Sequence, residues 1–294
     1  MGRIRYICAM DMMALTPESL RGRLLPRARD SHKGDYGHLL LVCGCRTMPG
    51  AAVLATGAAL HAGCGLVTLH ATERALQATA NLFPSAILSE DPASCFSTLP
   101  AALPRYTAIA VGPGLGTAPK TQEALRALMT AARAEAIPMV LDADALNILA
   151  LQRDLFALLP SGSILTPHPG ELRRLFSGET PPEADIHTLC RQTGCLLVEK
   201  GAGTRLHTPS GDIYRNTTGN PGLAKGGSGD VLTGLIGGLL ARGYAATDAA
   251  ALGVWIHGYA GDCLTESRTA EGYDSRDLID ALWRGFAALT EKQP

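Results

Sequence analysis

The residues best suited to chemistry are a run of glycines that ends in an aspartate, GGSGD at residues 226–230. Apolar residues recur at helical spacing directly after it, so a helix is predicted to begin between Ser228 and Asp230. Backbone N–H groups at a helix start carry partial positive charge, and glycines let them converge on an anion. The spacing matches neither a Walker loop nor a dinucleotide-binding fingerprint. Two interpretations fit: a phosphate cradle, or a glycine-rich turn with Asp230 as an ordinary first-turn acid.

A second candidate is KGAGT at residues 200–204, which follows the predicted strand CLLVE. Lys200 supplies a cation, two glycines supply flexible backbone and Thr204 supplies a hydroxyl. Ligands of open α/β sheets bind at the carboxyl ends of the strands. The motif therefore suits an anionic ligand, and a simple hairpin turn is the alternative.

Three further loops follow predicted strands. VGPGLG at residues 111–116 allows close backbone approach to a ligand, or is a tight turn. Asp142 and Asp144 could hold Mg²⁺ or a substrate hydroxyl, or cap the next helix. His168 lies between two prolines on a restricted backbone, and Glu171 opens a helix, where an acid is favoured by the helix dipole. The other seven histidines are interpreted as structural.

The elements that must position these loops are short apolar strands alternating with longer Ala/Leu-rich helices. This alternation predicts an α/β fold with a mainly parallel sheet covered on both faces, so the loops should meet at one sheet edge. The meeting of these loops predicts one large site for a phosphorylated, nucleotide-like ligand. Predicted strands are 38–43, 66–71, 107–111, 138–141, 163–165, 195–199, 205–207 and 212–215, and predicted helices are 17–25, 51–62, 120–134, 230–241, 246–264 and 276–290.

The composition excludes several classes of protein. Of 294 residues, 46% are hydrophobic and 18% charged, and the formal net charge is −1, which argues against disorder and against nucleic-acid binding. No apolar run reaches the ~18 residues that span a membrane. We expect a single domain over residues 31–294, preceded by a poorly specified lead-in over residues 1–30.

Glycines 234, 237 and 238 inside a predicted helix indicate close backbone packing.

The cysteines and the amino terminus indicate a cytoplasmic protein. The eight cysteines contain no CxxC pair, so we expect reduced thiols and no structural zinc. The start MGRIRYICAMDMM has too short an apolar stretch for a signal peptide. Tyr6 stands where the myristoylation pattern needs Ser or Thr.

Seven motifs in order resemble those of the ADP-dependent (S)-NAD(P)H-hydrate dehydratase family. They are GDYGHLLLVCG, MPGAAVLATGAALHAGCGLV, VGPGLG, LDADALN, TPHPGEL, VEKGAGT and GNPGLAKGGSGDVLTG, spread over roughly residues 33–265. The resemblance implies a ribokinase-like fold of three layers, with a central, mostly parallel sheet flanked by helices. Some family members carry an N-terminal epimerase domain, which we expect to be absent here.

The resemblance implies a metabolite-repair activity. Its substrate would be the S epimer of hydrated NADH or NADPH, and dehydration would be coupled to conversion of ADP to AMP and phosphate. Phosphorylation of the ring hydroxyl followed by elimination is chemically sensible, because phosphate leaves more readily than hydroxide. Mg²⁺ is expected with the nucleotide, the motifs show no closed metal site, and a homo-oligomer, a tetramer, is implied.

The resemblance also assigns residues. It implies that Asp230 is the catalytic base and contacts the hydrate. The hydrate's site would further be lined by Ala51, Gly114 and His168. The nucleotide would be bound by Lys200, Gly201, Ala202, Gly203, Thr204 and Gly229, with Asn220, Asp142 and Asp144 as secondary contributors.

Two positions depart from the family pattern. Gly44-Cys45 stands where Gly-Ser is common, and Lys225 stands where a small or hydroxyl residue is common. Lys225 would strengthen anion binding or point into solvent. Two other functions stay open: a hydroxymethyl or hydroxyethyl kinase of the same fold class, and a catalytically silent nucleotide-binding protein. The TPHPGE and GPGLG motifs favour the dehydratase over the kinase, and Asp230 with Lys200 count against the silent protein.

Overall fold

The computed structural model describes residues 12–290, and these residues contain one ten-stranded sheet. The expectations for residues 1–11, including those on Tyr6 and a signal peptide, lie outside the described residues. The strands are β1 (Met13–Leu15), β2 (His38–Val42), β3 (Leu66–Thr72), β4 (Ile87–Asp91), β5 (Ala108–Val111), β6 (Met139–Leu141), β7 (Ile164–Leu165), β8 (Leu196–Glu199), β9 (Arg205–His207) and β10 (Ile213–Asn216).

Helices cover both faces of this sheet, as its continuous apolar strands require. Leu39 and Leu41 of β2 pack into one core, and Leu40 and Val42 pack into the other. This alternation places β2 between two helical layers. The helices are α1 (Pro17–Leu20), α2 (Pro49–His61), α3 (Glu73–Leu82), α4 (Pro119–Ala134), α5 (Ala143–Leu151), α6 (Pro169–Leu175), α7 (Glu183–Thr193), α8 (Ser228–Ala241), α9 (Ala246–Thr265) and α10 (Ser275–Thr290).

The strand order is β1-β10-β9-β8-β7-β6-β5-β2-β3-β4. Strand β9 runs antiparallel to both neighbours, and the other seven pairings are parallel. The chain passes outward from β2 through β3 to β4, then returns to β5 on the other side of β2. Connections after β2 and β5 therefore diverge, and such a switch point opens a crevice at the carboxyl edge of a sheet.

Close packing of α2 on α8 explains the glycines inside α8. A Cβ added at Gly234 would lie 2.0 Å from the carbonyl oxygen of Ala55, and one at Gly238 would lie 2.7 Å from the Cβ of Ala62. A Cβ at Gly237 would lie 2.9 Å from the Cβ of Ala110 in β5. The predicted close backbone approach of this helix is confirmed.

The predicted α/β architecture is confirmed, and every predicted strand is present within two residues of its predicted bounds. The prediction of a helix over residues 17–25 is wrong in its second half. Helix α1 ends at Leu20, a 3₁₀ turn follows at Arg21–Arg23, and Leu24 is extended. Pro26 disfavours helical backbone at Leu25, the residue before it, so the helix could not have reached the predicted end.

The lead-in also contains more order than its sequence indicates, because β1 pairs with β10. All seven cysteines in the described residues are free thiols. In the part of the chain that the structure describes, the helices are too short or too polar to cross a membrane.

Candidate active site

The start of α8 lies at the carboxyl edge of the sheet, as the glycine run predicts. Gly227 precedes the helix with a φ of 91°, a left-handed conformation that glycine adopts without strain. A Cβ there would lie 2.4 Å from Leu54, so the turn also packs closely against α2. Asp230 follows in the first helical turn, beside the backbone N–H groups of the helix start.

A buried ion pair lies directly against this helix start. Lys200, at the end of β8, places its Nζ 2.6 Å from Oδ1 of Asp142, which follows β6. The hydroxyl of Thr233 donates to the other carboxylate oxygen of Asp142 at 2.7 Å. A Cβ on Gly229 would lie only 3.5 Å from Lys200 Nζ. The pair therefore brings a cation to the glycine turn and holds it there.

The environment of Asp230 favours its protonated form more than water does. Burial raises its pKa to about 7, and the negative charges of Asp142 and Asp144 add to this effect. Lys200 opposes the increase. A carboxyl group with a pKa near neutrality is suited to accept a proton from a substrate hydroxyl.

His168 and Glu171 form a reciprocal cap at the start of α6. The Nδ1 atom of His168 accepts from the N–H of Gly170 at 2.9 Å, and Glu171 Oε2 accepts from the N–H of His168 at 2.9 Å. The carboxylate of Glu171 also lies 3.8 Å from Lys200 Nζ. Burial raises the pKa of Glu171, while Lys200 counteracts this. Glu171 thus belongs to the charged cluster, beyond the helix-dipole role that its position suggests.

The β5 loop meets the α2 start at the switch point. Gly114 has a φ of 66°, and a Cβ there would lie 2.9 Å from the Cβ of Ala51. The N–H of Gly116 donates to Oδ2 of Asp144 at 2.7 Å, which ties this loop to α5. Ala51 and Gly114 are therefore neighbours in the crevice.

The capping alternative for Asp142 and Asp144 is wrong in the described structure. Asp142 precedes α5 but its carboxylate makes no capping bond to that helix. It binds Lys200 and Thr233 instead, while Asp144 binds the β5 loop. Both carboxylates therefore connect separate loops of the crevice.

The remaining KGAGT residues form an exposed turn between β8 and β9. The Thr204 hydroxyl donates to the carbonyl oxygen of Gly201 at 3.1 Å, and Gly203 has a φ of 70°. Gly201 and Ala202 are exposed. The turn is open to solvent beside the ion pair of Lys200, and nucleotide binding by its residues stays a prediction.

The structure places Asn220 and Lys225 in contacts within the protein. Asn220 accepts from Gly222 N–H and donates to Asp262. Lys225 Nζ donates to the carbonyl oxygens of Ala270 and Tyr273. Neither alternative for Lys225, phosphate contact or free solvent exposure, describes this arrangement.

Sequence reasoning missed Thr233. It stands three residues after Asp230, and side chains at that spacing share a helix face, so helical periodicity could have identified it.

His257, interpreted as structural, is buried with Nε2 2.9 Å from the carbonyl oxygen of Ser228. Burial lowers the pKa of His257 to about 4, so it supports the helix start as a neutral donor.

The sheet order and the crevice define a class: an α/β protein of ribokinase-like fold with a polar site at the carboxyl edge. A ribokinase-like superfamily protein from Enterococcus faecalis superimposes with a TM-score of 0.82 at 25% identity, covering 95% of this chain and 97% of the other. The NAD(P)H-hydrate dehydratase family model matches residues 39–284. The chain belongs to that family.

Two relatives show how far the similarity extends. The ADP-dependent (S)-NAD(P)H-hydrate dehydratase of Neisseria meningitidis serogroup B is 40% identical over 250 residues, covering 82% of this chain and 81% of the relative. The structure of ADP/ATP-dependent NAD(P)H-hydrate dehydratase from Bacillus subtilis, co-crystallised with ATP/Mg²⁺, matches with a TM-score of 0.81 and 31% identity over 96% and 100% of the two chains. The chain spans about half the length of the bifunctional NAD(P)H-hydrate repair enzymes that it also matches.

Proposed function

We propose that the protein dehydrates the S epimer of hydrated NADH or NADPH, converting ADP to AMP and phosphate. The observation that carries this proposal is the juxtaposition of the Asp142–Lys200 pair with the glycine start of α8, where Asp230 has a pKa near 7. The names of the family and of its relatives supply the substrate class.

The proposed reaction has two steps. The ring hydroxyl of the hydrate attacks the terminal phosphorus of ADP, the bond to the bridging oxygen breaks, and AMP leaves. The carbon–oxygen bond of the new phosphate ester then breaks, phosphate leaves, and a proton is lost from the neighbouring ring carbon to solvent, which restores the double bond. Hydrate and ADP thus give NAD(P)H, AMP and phosphate: the hydroxyl oxygen leaves in phosphate, and the hydroxyl proton is the one that Asp230 takes.

Each residue of the crevice has a role in this proposal. Deprotonated Asp230 takes the hydroxyl proton as the oxygen attacks. Lys200 and the backbone of Gly229 stabilise charge on the transferred phosphoryl group, because such transfer depends on positioning and electrostatics. The turn of Gly201, Ala202, Gly203 and Thr204 holds the rest of the nucleotide. Ala51, Gly114 and His168 line the hydrate's site.

Mg²⁺ belongs to the proposal as a companion of the nucleotide. Both carboxylate oxygens of Asp142 already have partners, and the described residues contain no group of three ligands able to hold a metal. Mg²⁺ in such sites binds one or two carboxylates together with substrate phosphates. The phosphates of the bound nucleotide would therefore supply most of the ligands, and the ion would neutralise phosphate charge.

The test is an absorbance assay with purified protein, the hydrate of NADH, Mg²⁺ and either ADP or ATP. Restoration of dihydronicotinamide absorbance, with one AMP released per NADH when ADP is used, supports the proposal. No recovery with either nucleotide contradicts it. Phosphorylation of a hydroxymethyl-pyrimidine or hydroxyethyl-thiazole without any hydrate repair would favour the kinase instead.

A homo-oligomer, specifically a tetramer, and a cytoplasmic location complete the proposal. Their support is the family resemblance and the free thiols of the seven described cysteines. Sedimentation of the purified chain tests the tetramer directly.

A further inference from the structure

The segment that leads into α8 contains an unusual density of glycine. Gly219, Gly222, Gly226 and Gly227 fall within nine residues of each other. Glycine loses more backbone freedom on ordering than other residues, so such a segment stays mobile unless the surroundings hold it. A turn that presents backbone N–H groups to an anion binds better when it is fixed beforehand.

Lys225 makes the contacts that would fix it. Its Nζ donates to the carbonyl oxygen of Ala270 at 2.7 Å and to that of Tyr273, and it lies 4.5 Å from the centre of the Tyr273 ring. The residue after Lys225 is also held: the hydroxyl of Ser275 donates to the carbonyl oxygen of Gly226 at 2.9 Å. Two neighbouring residues of the turn are thus bound to the segment 270–275.

That segment is itself anchored to the start of α10. Asp274 Oδ1 accepts from the N–H of Arg276 at 2.7 Å, and Asp277 Oδ2 accepts from the N–H of Asp274 at 2.9 Å. Arg268 lies 2.7 Å from the carboxylate of Asp277. Capping bonds of this kind fix the first turn of a helix, so the segment that Lys225 binds is itself held in place.

The beginning of the loop is held separately. The N–H of Gly219 donates to Asp262 Oδ2 at 2.8 Å, and the hydroxyl of Tyr273 donates to Asn220 Oδ1 at 3.0 Å. The first residues of the loop are therefore bound to α9 and to the segment 270–275, and the part left for Lys225 and Ser275 to hold lies between Lys225 and the helix start. The contact of Lys225 therefore controls the part of the loop that faces the ion pair of Lys200.

We propose that Lys225 is a positioning residue that clamps the glycine turn 226–229 to the segment 270–275 and so preorganises the phosphate site. The phosphate part rests on the proposed function, whereas the clamp itself does not. Lys225 acts through backbone carbonyls on the far side of the turn, because its ammonium hydrogens are directed to Ala270 and Tyr273.

Hydrogen exchange of the unliganded protein tests the clamp without any reference to activity. Lys225→Met keeps the length of the stem and removes the donors; Lys33→Met, at the exposed amino end of the sheet, is the matched control. We expect Lys225→Met to speed exchange about tenfold at residues 226–229 and to leave α9 and α10 unchanged. Unchanged exchange at the turn overturns the proposal, and so does faster exchange throughout both helices, which would indicate a general structural role.

Calorimetric titration with ADP and Mg²⁺ tests the consequence for the phosphate site. We expect the Kd for ADP to rise about tenfold in Lys225→Met, with KM for ADP rising more than kcat falls. Lys225→Arg, which retains donors for both carbonyls, should stay within threefold of the wild type. An unchanged Kd in Lys225→Met, or an arginine variant as impaired as the methionine variant, overturns the proposal. Failure of wild-type protein to bind ADP would instead contradict the proposed function, and the exchange result would stand by itself.

Discussion

Lys200 and Asp142 are 58 residues apart in the chain, yet Nζ and Oδ1 lie 2.6 Å apart across the ends of β6 and β8. The hydroxyl of Thr233 completes the arrangement from α8. Three elements thus fix this ion pair, and the charges of both Asp142 and Lys200 act on Asp230.

Replacing Asp230 with Asn should remove turnover and leave nucleotide binding in place. The amide has the same shape but cannot accept the proton, and loss of a general base lowers rates by about 10²–10⁴-fold. Steady-state repair of NADH hydrate measures the loss, and calorimetry with ADP measures the retained binding. If ADP binding disappears together with turnover, Asp230 holds the nucleotide and is not the base.

The same variant should be more thermally stable at alkaline pH. The folded-state pKa of Asp230 is about 7 and the ordinary value is 3.8, so ionisation in the folded protein is penalised as pH rises between these values. The asparagine variant escapes this penalty, so its gain in Tm should be larger at pH 8.5 than at pH 4. Asp154→Asn is the matched control. Arg126 lowers the pKa of Asp154, so this variant should lose more Tm at pH 8.5 than at pH 4. An equal gain at both pH values would contradict the buried-charge explanation.

Asp142→Asn should move the acid limb of the pH–rate profile to lower pH. The negative charge of Asp142 helps to raise the pKa of Asp230, and its removal also frees Lys200 to approach Asp230, which acts in the same direction. We expect kcat at the optimum to fall at least tenfold, since Lys200 loses its anchor. Asp144→Asn should shift the limb the same way by less, because its charge contributes less. A limb that stays in place would show that Asp230 does not titrate in this profile.

Gly114→Ala should weaken binding of the hydrate more than Gly116→Ala does. Both glycines have left-handed backbone, with φ of 66° and 73°, so both substitutions carry strain of about 1–2 kcal/mol. Only at Gly114 does the new Cβ meet neighbours, lying 2.9 Å from Ala51 and 3.0 Å from the carbonyl oxygen of Met48. Urea denaturation should show the larger loss of stability in Gly114→Ala, because the close contacts add to the backbone strain that both variants share, and KM for the hydrate should rise mainly in Gly114→Ala. Equal KM values would place the hydrate elsewhere.

The fold was largely predictable because most of its strands are marked by short apolar runs in the local sequence. Strand β2 is an unbroken apolar run buried on both faces, and the glycine run marks the start of α8 to within two residues. Strand β4 escaped notice because it is an edge strand, with Ile87 and Leu88 each at least 40% exposed. Strand β1 has three residues and forms only because β10 offers an edge.

The partnerships inside the site were not predictable from spacing. The motifs identified Lys200, Asp142 and Asp230 as polar residues at one edge, but their mutual distances depend on how loops from different strands approach each other. The partner of Lys225 is the backbone of Ala270 and Tyr273, and carbonyl oxygens leave no trace in side-chain identity. Such contacts emerge only from the tertiary structure.

The pairing of β1 with β10 has a kinetic consequence. Met13 lies opposite Tyr214, so this pairing closes a loop of about two hundred residues. During synthesis on a ribosome, β1 is made early and can pair only after β10 has emerged. Contacts so distant in sequence form slowly, and an unpaired β10 edge in the interval is open to other chains. The completion of the sheet at β1 is therefore a late step in folding and the stage most exposed to misassembly.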